Sequence, residues 1–433
     1  MITIHRVYIL NSMSISIHTD SLTTEQKHRI IKELSVEQPQ GALHGFKIHE
    51  DTEHVAIPFN YARNVLSLPF TQKYPRITDH EFKATLREYQ AEQMKPIVQH
   101  LNKKSVCLLS LHVGWGKSIF SLALAHKIKL RTLIVVNKIM LQKQWLEMIR
   151  NICPDSTSQI ITPKKAAAET DYSIINIANI DKRHQDFYAQ FGTVICDEVH
   201  LLVSPKGFPQ LLTLTPRFLI ALSATPYRKD ELNKLMPYFF GRATLTKKLV
   251  RKYQVHVVKT GFTFPIEHQS NGGLNWNAVL DSQASHSERN RLVVSLLAKH
   301  PDRRFLVLCK RISQGTEIHD FCVESGVSSV NITGSNDDFS DERVIIATTK
   351  KFGTGVSVDD LDALILACDV EAYYIQYLGR VFRKVDTSPL IYDLYDDLAN
   401  DKGKVLFNNP LKKHLNERLR VYKESGGTIS FPI

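Results

Sequence analysis

Leu111-His112-Val113-Gly114-Trp115-Gly116-Lys117-Ser118 is the stretch on which the reading of this sequence turns. An apolar run, residues 106–109, leads into it, and a pattern with helical spacing, residues 119–128, leads out. Strand, glycine-bearing turn, Lys-Ser and helix together make a cradle for phosphate. Gly114 and Gly116 let backbone N–H groups approach phosphate oxygens, and a new helix presents its unpaired N–H groups and positive dipole end. Lys117 would reach the outer phosphates, and the Ser118 hydroxyl would ligate Mg²⁺. Leu111 stands where the general pattern has glycine, and Trp115 sets a large ring between the two glycines.

Working outward, the strand-like residues 193–196 end in Asp197-Glu198-Val199-His200. An acidic pair at the end of a buried strand is what hydrolysis of a magnesium nucleotide needs opposite a phosphate loop. Asp197 would hold the metal, directly or through water, and Glu198 would orient the attacking water and take its proton. Residues 218–222 form one more apolar strand, ending in Ser223-Ala224-Thr225-Pro226, whose hydroxyls can couple the acidic pair to its surroundings. Upstream, Leu86-Arg87-Glu88-Tyr89-Gln90 opens a helix in which Arg87 and Gln90 could bracket a purine, since an amide both donates and accepts. Strands expected at residues 132–136 and 173–177 continue a β-α alternation that signals a parallel sheet.

A second βα series starts near residue 287, with strands expected at 304–309, 329–332, 343–347 and 363–366. It has no phosphate loop of its own. Gln376, Arg380 and Arg383 fall at i, i+4 and i+7, so one helix face would carry all three, and guanidinium groups aimed at a γ-phosphate act as arginine fingers.

The chain has 433 residues and a formal net charge of +11, which suggests a polyanionic partner, nucleic acid before membrane. Six cysteines show no CxxC pair and no regular spacing, which argues for a reducing cytoplasm and against a zinc site. No segment reads as a signal peptide or membrane span. The expected organisation is an N-terminal accessory module at 1–78 and an α/β domain at 79–250. A connecting segment at 251–285, a second α/β domain at 286–400 and a helical tail at 401–433, frayed at Gly426-Gly427, would follow. In the module, strands are expected at 2–10 and 13–18, a helix capped by Thr23 at 22–34, and a strand at 55–58; it either guides DNA or stabilises its neighbour.

Taken in order, these motifs resemble those of the superfamily 2 helicases and translocases over roughly residues 80–400. Leu86 to Gln90 looks like the adenine-reading segment, Asp197 to His200 like a DExH box, Ser223 to Thr225 like the coupling motif, and Gln376 to Arg383 like QxxGRxxR. Gln144-Trp145 resembles the QW helix of DNA translocases related to restriction motors and repair helicases. Ser223-Ala224-Thr225-Pro226-Tyr227-Arg228 is similar to their SATPxR form. Phe352-Gly353-Thr354-Gly355-Val356-Ser357 looks like a segment of phage branch-migration helicases, although Ser357 stands where many relatives carry an aspartate.

The resemblance implies two RecA-like parallel-sheet domains, with ATP and Mg²⁺ as cofactors and ATP bound between the domains. Gly355 would join Arg87, Gln90, Gly114, Gly116, Lys117 and Ser118 in binding nucleotide. Gln376, Arg380 and Arg383 would act with Lys117, Asp197 and Glu198 in catalysis, while His200, Ser223 and Thr225 couple hydrolysis to movement. The implied partner is single-stranded, forked or branched DNA, with Asn137, Gln144, Lys310, Arg311, Thr333 and Thr348 at or soon after strand ends facing it. Replication or recombination proteins would be further partners, and the host cytoplasm the compartment if the chain is phage-encoded. A double-strand translocase, an RNA helicase and a regulatory ATP-binding module are the rival readings.

Overall fold

A computed structural model describes residues 14–432 except 39–40, 50–52, 69–71, 165–167, 229, 271, 335–341, 353–357, 359, 372–373, 383–386, 401 and 408. Two compact units divide the chain, Met1–Lys247 and Lys248–Ile433.

The first unit opens with β1 (Ser14–His18), α1 (Thr24–Glu33), β2 (Ser35–Gln38), β3 (Gly41–His44), β4 (Lys47–His49) and β5 (His54–Pro58). Strands β1, β5 and β4 make a small antiparallel sheet, and β2 and β3 pair as a hairpin. Thr23 and Gln26 cap α1 reciprocally, Thr23 Oγ1 accepting from Gln26 N at 3.1 Å and Gln26 Oε1 from Thr23 N at 2.9 Å. The strand expected at 2–10 lies outside the described residues.

There follow α2 (Glu88–Lys104), β6 (Val106–Leu111), α3 (Lys117–Ile128), β7 (Thr132–Val136), α4 (Ile139–Ile152), β8 (Ser158–Ile161), β9 (Tyr172–Asn176) and β10 (Thr193–Cys196). The unit ends with α5 (Val199–Leu202), α6 (Gly207–Leu211), β11 (Phe218–Ser223), α7 (Met236–Phe240) and β12 (Ala243–Lys247). Seven strands form one parallel sheet in the order β12-β6-β11-β10-β7-β9-β8.

Its central strands are buried on both faces, which is why they read as nearly continuous apolar runs. Alternate residues serve opposite cores. Val106, Leu108, Val194 and Cys196 pack on one face, with Phe208, Met236 and Phe239. Cys107, Leu109, Leu111 and Ile195 pack on the other, with Ile97 of α2, Phe120 of α3 and Trp145 of α4. Val36 of β2 and Phe59, which follows β5, join the first of these cores, and Asn60 Nδ2 donates to Pro237 O at 2.8 Å. The N-terminal module therefore shares a core with the parallel sheet.

The second unit contains β13 (Tyr253–Pro265), α8 (Trp276–Ala284), α9 (Ser287–Ala298), β14 (Phe305–Cys309), α10 (Ile312–Glu324), β15 (Ser329–Asn331) and β16 (Val344–Thr348). It continues through α11 (Thr349–Phe352), β17 (Ala363–Leu366), α12 (Tyr374–Val381), β18 (Leu390–Ala399), α13 (Pro410–Glu424) and β19 (Gly427–Ser430). Its sheet is also parallel and seven-stranded, in the order β15-β16-β14-β17-β18-β13-β19. The two sheets are RecA-like domains, in tandem behind the small α+β module.

Two expectations need correction. The stretch 251–285, expected to connect, supplies β13, which lies between β18 and β19 in the sheet. The end expected to fray at Gly426-Gly427 is β19, paired through Tyr253↔Gly427 to His256↔Ser430. The tail helix α13 packs into the core of this unit through Leu415 and Tyr422. Arg418 of α13 is buried and grips Asp393 of β18 with two bonds, Nε at 2.8 Å and Nη2 at 3.0 Å, while Nη1 reaches Asp369 at 2.9 Å.

Candidate active site

Strands β6, β11, β10 and β7 are neighbours, and their pairing is in register to their carboxyl ends. The loops that leave those ends therefore emerge side by side, where open parallel sheets bind ligands. They carry the phosphate loop, Ser223, Asp197 and Asn137.

Within the phosphate loop, Gly114 and Gly116 have φ of +86° and +90°, a region that costs glycine nothing. Leu111 is the buried last residue of β6, so the turn begins after it and glycine is not required there. The Trp115 ring is buried in the core, edge-on to Phe120 with centroids 5.1 Å apart. The ring set between the two glycines in sequence is packing.

Gln90 braces this loop from behind. Its Nε2 donates to Trp115 O at 2.7 Å and its Oε1 accepts from Arg87 N at 2.9 Å. A Cβ at Gly116 would stand 2.4 Å from Gln90 Nε2, so the brace also requires that glycine. Only the second amide hydrogen and lone pair of Gln90 remain to meet a purine. Arg87 is exposed and donates to Tyr89 OH at 2.7 Å.

Lys117 Nζ lies 3.1 Å from Glu198 Oε1, joining the phosphate loop to the acidic pair. Glu198 sits in the left-handed region, with φ of 50° and ψ of 55°. A non-glycine residue held there costs on the order of 1–3 kcal/mol, and such strain gathers at functional sites. Asp197 is buried, and its Oδ2 accepts from Trp145 Nε1 at 2.9 Å. Burial first, then the neighbouring Glu198 charge, push Asp197 up to about 6, against the pull of Lys117 and Trp145.

His200 extends the network to the next strand. Its Nδ1 lies 2.9 Å from Ser223 Oγ and 3.5 Å from Glu198 Oε2. Burial lowers His200 to about 4, so the ring is neutral near neutrality. Thr225 N donates to Ser223 Oγ at 3.0 Å, whereas Thr225 Oγ1 is buried with no hydrogen-bond partner among the described residues. Arg228 Nη1 donates to His200 O at 2.5 Å and its guanidinium forks onto Asp230.

Trp145 and Arg228 were not among the expected site residues. A buried indole N–H needs an acceptor, and that need is the signal by which Trp145 could have been found.

The donor set fits a magnesium nucleotide. The loop offers backbone N–H groups at the start of the twelve-residue helix α3. Lys117 supplies positive charge, and the oxygens of Ser118 and Asp197 are hard ligands of the kind Mg²⁺ takes.

Other expected residues lie apart from this cluster. Asn137 Oδ1 is buried without a hydrogen-bond partner among the described residues, and Gln144 is exposed on α4. In the second unit, Arg311 Nε pairs with Asp281 Oδ1 at 2.6 Å, and Thr333 is buried with its hydroxyl donated to Asn331 Oδ1 at 2.7 Å. Lys310 N bonds to Gln314 Oε1 at 3.4 Å, and Thr348 Oγ1 accepts from Lys351 N at 3.2 Å. Gln376 and Arg380 fall on α12, while Gly355 and Arg383 lie outside the described residues.

The family described as "Type III restriction enzyme, res subunit" matches residues 83–228, from the lead-in of α2 to Arg228. The chain is 39% identical over 406 residues to "Putative helicase 161L" of Invertebrate iridescent virus 6, covering 87% of this chain and 89% of that protein. It is 31% identical over 356 residues to "Putative helicase 055L" of Frog virus 3 (isolate Goorha), covering 80% and 79%. Among solved structures, an ATP-dependent Type ISP restriction-modification enzyme, LlaBIII bound to DNA, superposes with a TM-score of 0.56 at 13% identity. That match covers 81% of this chain and 32% of the other.

Proposed function

The chain belongs to the superfamily 2 helicases, and from that membership we propose that it is an ATP-driven motor that moves on DNA and unwinds or branch-migrates forked and Holliday-type junctions. The observation that carries this reading is the single network running from Lys117 through Glu198 and His200 to Ser223 and Thr225. It ties the groups that meet phosphate to a strand tip that makes no use of phosphate itself, as a transducing enzyme needs and a passive nucleotide-binding module does not.

Lys117 and Glu198 are paired, so a polyphosphate that takes up the Lys117 ammonium releases Glu198 to orient water and accept its proton. Ser118 and Asp197 would hold Mg²⁺, which supplies neutralising charge at the phosphate oxygens. Trp145 keeps the Asp197 carboxylate oriented. His200, neutral and bonded to Ser223, senses the position of Glu198 and conveys it to the Ser223–Thr225 turn. Arg380 and Arg383 offset charge that develops on the transferring phosphoryl group. The net charge of +11 suits contact with phosphate backbones, and such contacts carry little sequence information.

ATP hydrolysis measured with single-stranded, duplex and forked DNA and with RNA tests the proposal, with Lys117→Ala as the inactive control. Forked or single-stranded DNA is expected to stimulate most. Stimulation by RNA alone would overturn the DNA assignment, and stimulation by duplex without strand separation would identify a double-strand translocase.

A further inference from the structure

His80, His126 and Cys153 come from three places in the first unit: the lead-in to α2, the last turn of α3 and the residue that ends α4. One ligating atom from each lies within 4.8 Å of the others. His126 Nδ1 and His80 Nε2 are 3.3 Å apart. Two nitrogens bound at 2.0–2.1 Å to one tetrahedral zinc stand about 3.3–3.4 Å apart.

The tautomer of His80 is fixed from outside. Its Nδ1 lies 2.9 Å from Thr78 O, so Nδ1 carries the proton and Nε2 turns its lone pair toward the cluster. A hydrogen bond from the second ring nitrogen to a backbone carbonyl is the usual support of a metal-ligating histidine. Tyr172 OH lies 3.1 Å from the same Nε2. The Tyr172 hydroxyl also hydrogen-bonds Cys153, so it sits between two of the three candidate ligands.

We propose that His80, His126 and Cys153 form a zinc site, with water or the Tyr172 hydroxyl in the fourth position. Two imidazoles and a thiolate suit Zn²⁺ and exclude Mg²⁺ and Ca²⁺, which prefer oxygen. Burial pushes the Cys153 thiol up to about 11, so metal entry displaces one proton to solvent as the Zn–S bond forms. The expectation against zinc came from cysteine spacing, which sees only ligands close in sequence. The lead-in is already tied to the ends of α3 and α4 through Ile77 N to Lys129 O and Lys83 N to Ile152 O. Zinc would lock this joint, and with it the approach of Arg87 and Gln90 to the phosphate loop.

The test uses the full chain without a histidine tag, stripped by chelator, reloaded with zinc or cobalt in excess Mg²⁺, and dialysed. Retention of about one metal per chain is expected, and cobalt should give a thiolate charge-transfer band with tetrahedral ligand-field bands. Cys153→Ser should lose both. Should that buried substitution fail to fold, His80→Asn, on the half-buried lead-in, carries the same expectation. A wild-type chain that retains no metal, or a thiolate band that persists in either folded variant, overturns the site.

Discussion

Trp145 holds Asp197 through one hydrogen bond of 2.9 Å between an indole N–H and a carboxylate oxygen, and both residues are buried. The bond lowers Asp197 against the burial and Glu198 charge that raise it. Trp145→Phe keeps an aromatic ring in the core and removes the donor. Loss of a hydrogen bond to a metal ligand costs about 10–100-fold in metal affinity. Magnesium-dependent nucleotide binding, titrated with a fluorescent analogue, should weaken by that order, while affinity without magnesium stays close to wild type.

Glu198→Gln keeps the shape of the acidic pair but cannot accept a proton. Turnover should fall by about 10²–10⁴, the usual contribution of a general base, with nucleotide and Mg²⁺ binding retained. A variant that folds but no longer binds nucleotide would make Glu198 a structural residue.

His200 gives a pH signature with a definite sign. Its folded value, about 4, lies below its ordinary 6.5. The stability it contributes is therefore present above 6.5 and lost as pH falls through 4, up to about 3 kcal/mol. Asp197, raised to about 6, acts in the opposite sense as pH falls from 6 toward its usual value. His200→Gln isolates the histidine. Urea midpoints at pH 7 and pH 4 should show the variant losing less stability than wild type.

Arg418 and Asp393 form a buried pair, each at most 1% exposed. Arg418→Ala removes the cation that faces Asp393 and Asp369 in the core, at a cost of about 3–5 kcal/mol. A thermal melt should show the second unit failing first, and a melt no different from wild type would contradict the importance of that pair.

Arg383→Ala probes a residue assigned by motif alone. If Arg383 offsets charge on the transferring phosphoryl group, DNA-stimulated turnover should fall by about 10³–10⁵, with ATP affinity changing far less. Weaker DNA binding with normal turnover at saturating DNA would assign Arg383 to the nucleic acid instead.

The phosphate loop and the acidic pair were legible because each follows a short apolar run, residues 106–109 and 194–196, that reads as a buried strand. Strand β13 was not. Its residues alternate between buried and exposed, and its partners, β18 and β19, come late in the chain. Trp145 announced itself as a motif residue, but its bond to Asp197 joins positions 52 residues apart. The role of Trp115 was not legible for a related reason: a ring written between two glycines gives no sign that it will fold back beside Phe120.

The position of β13 also sets an order of events during synthesis. It is the first strand of its sheet to be made, yet Gln254 pairs with Leu390 and Val255 with Ile391. Until β18 has been made, both long edges of β13 are without their neighbours, and its apolar face has no sheet to join. Pairings so distant in sequence close slowly, and unpaired strands invite association between chains. Expression in cells should therefore be limited by the second unit, with aggregation that rises with temperature and falls when holding chaperones are supplied.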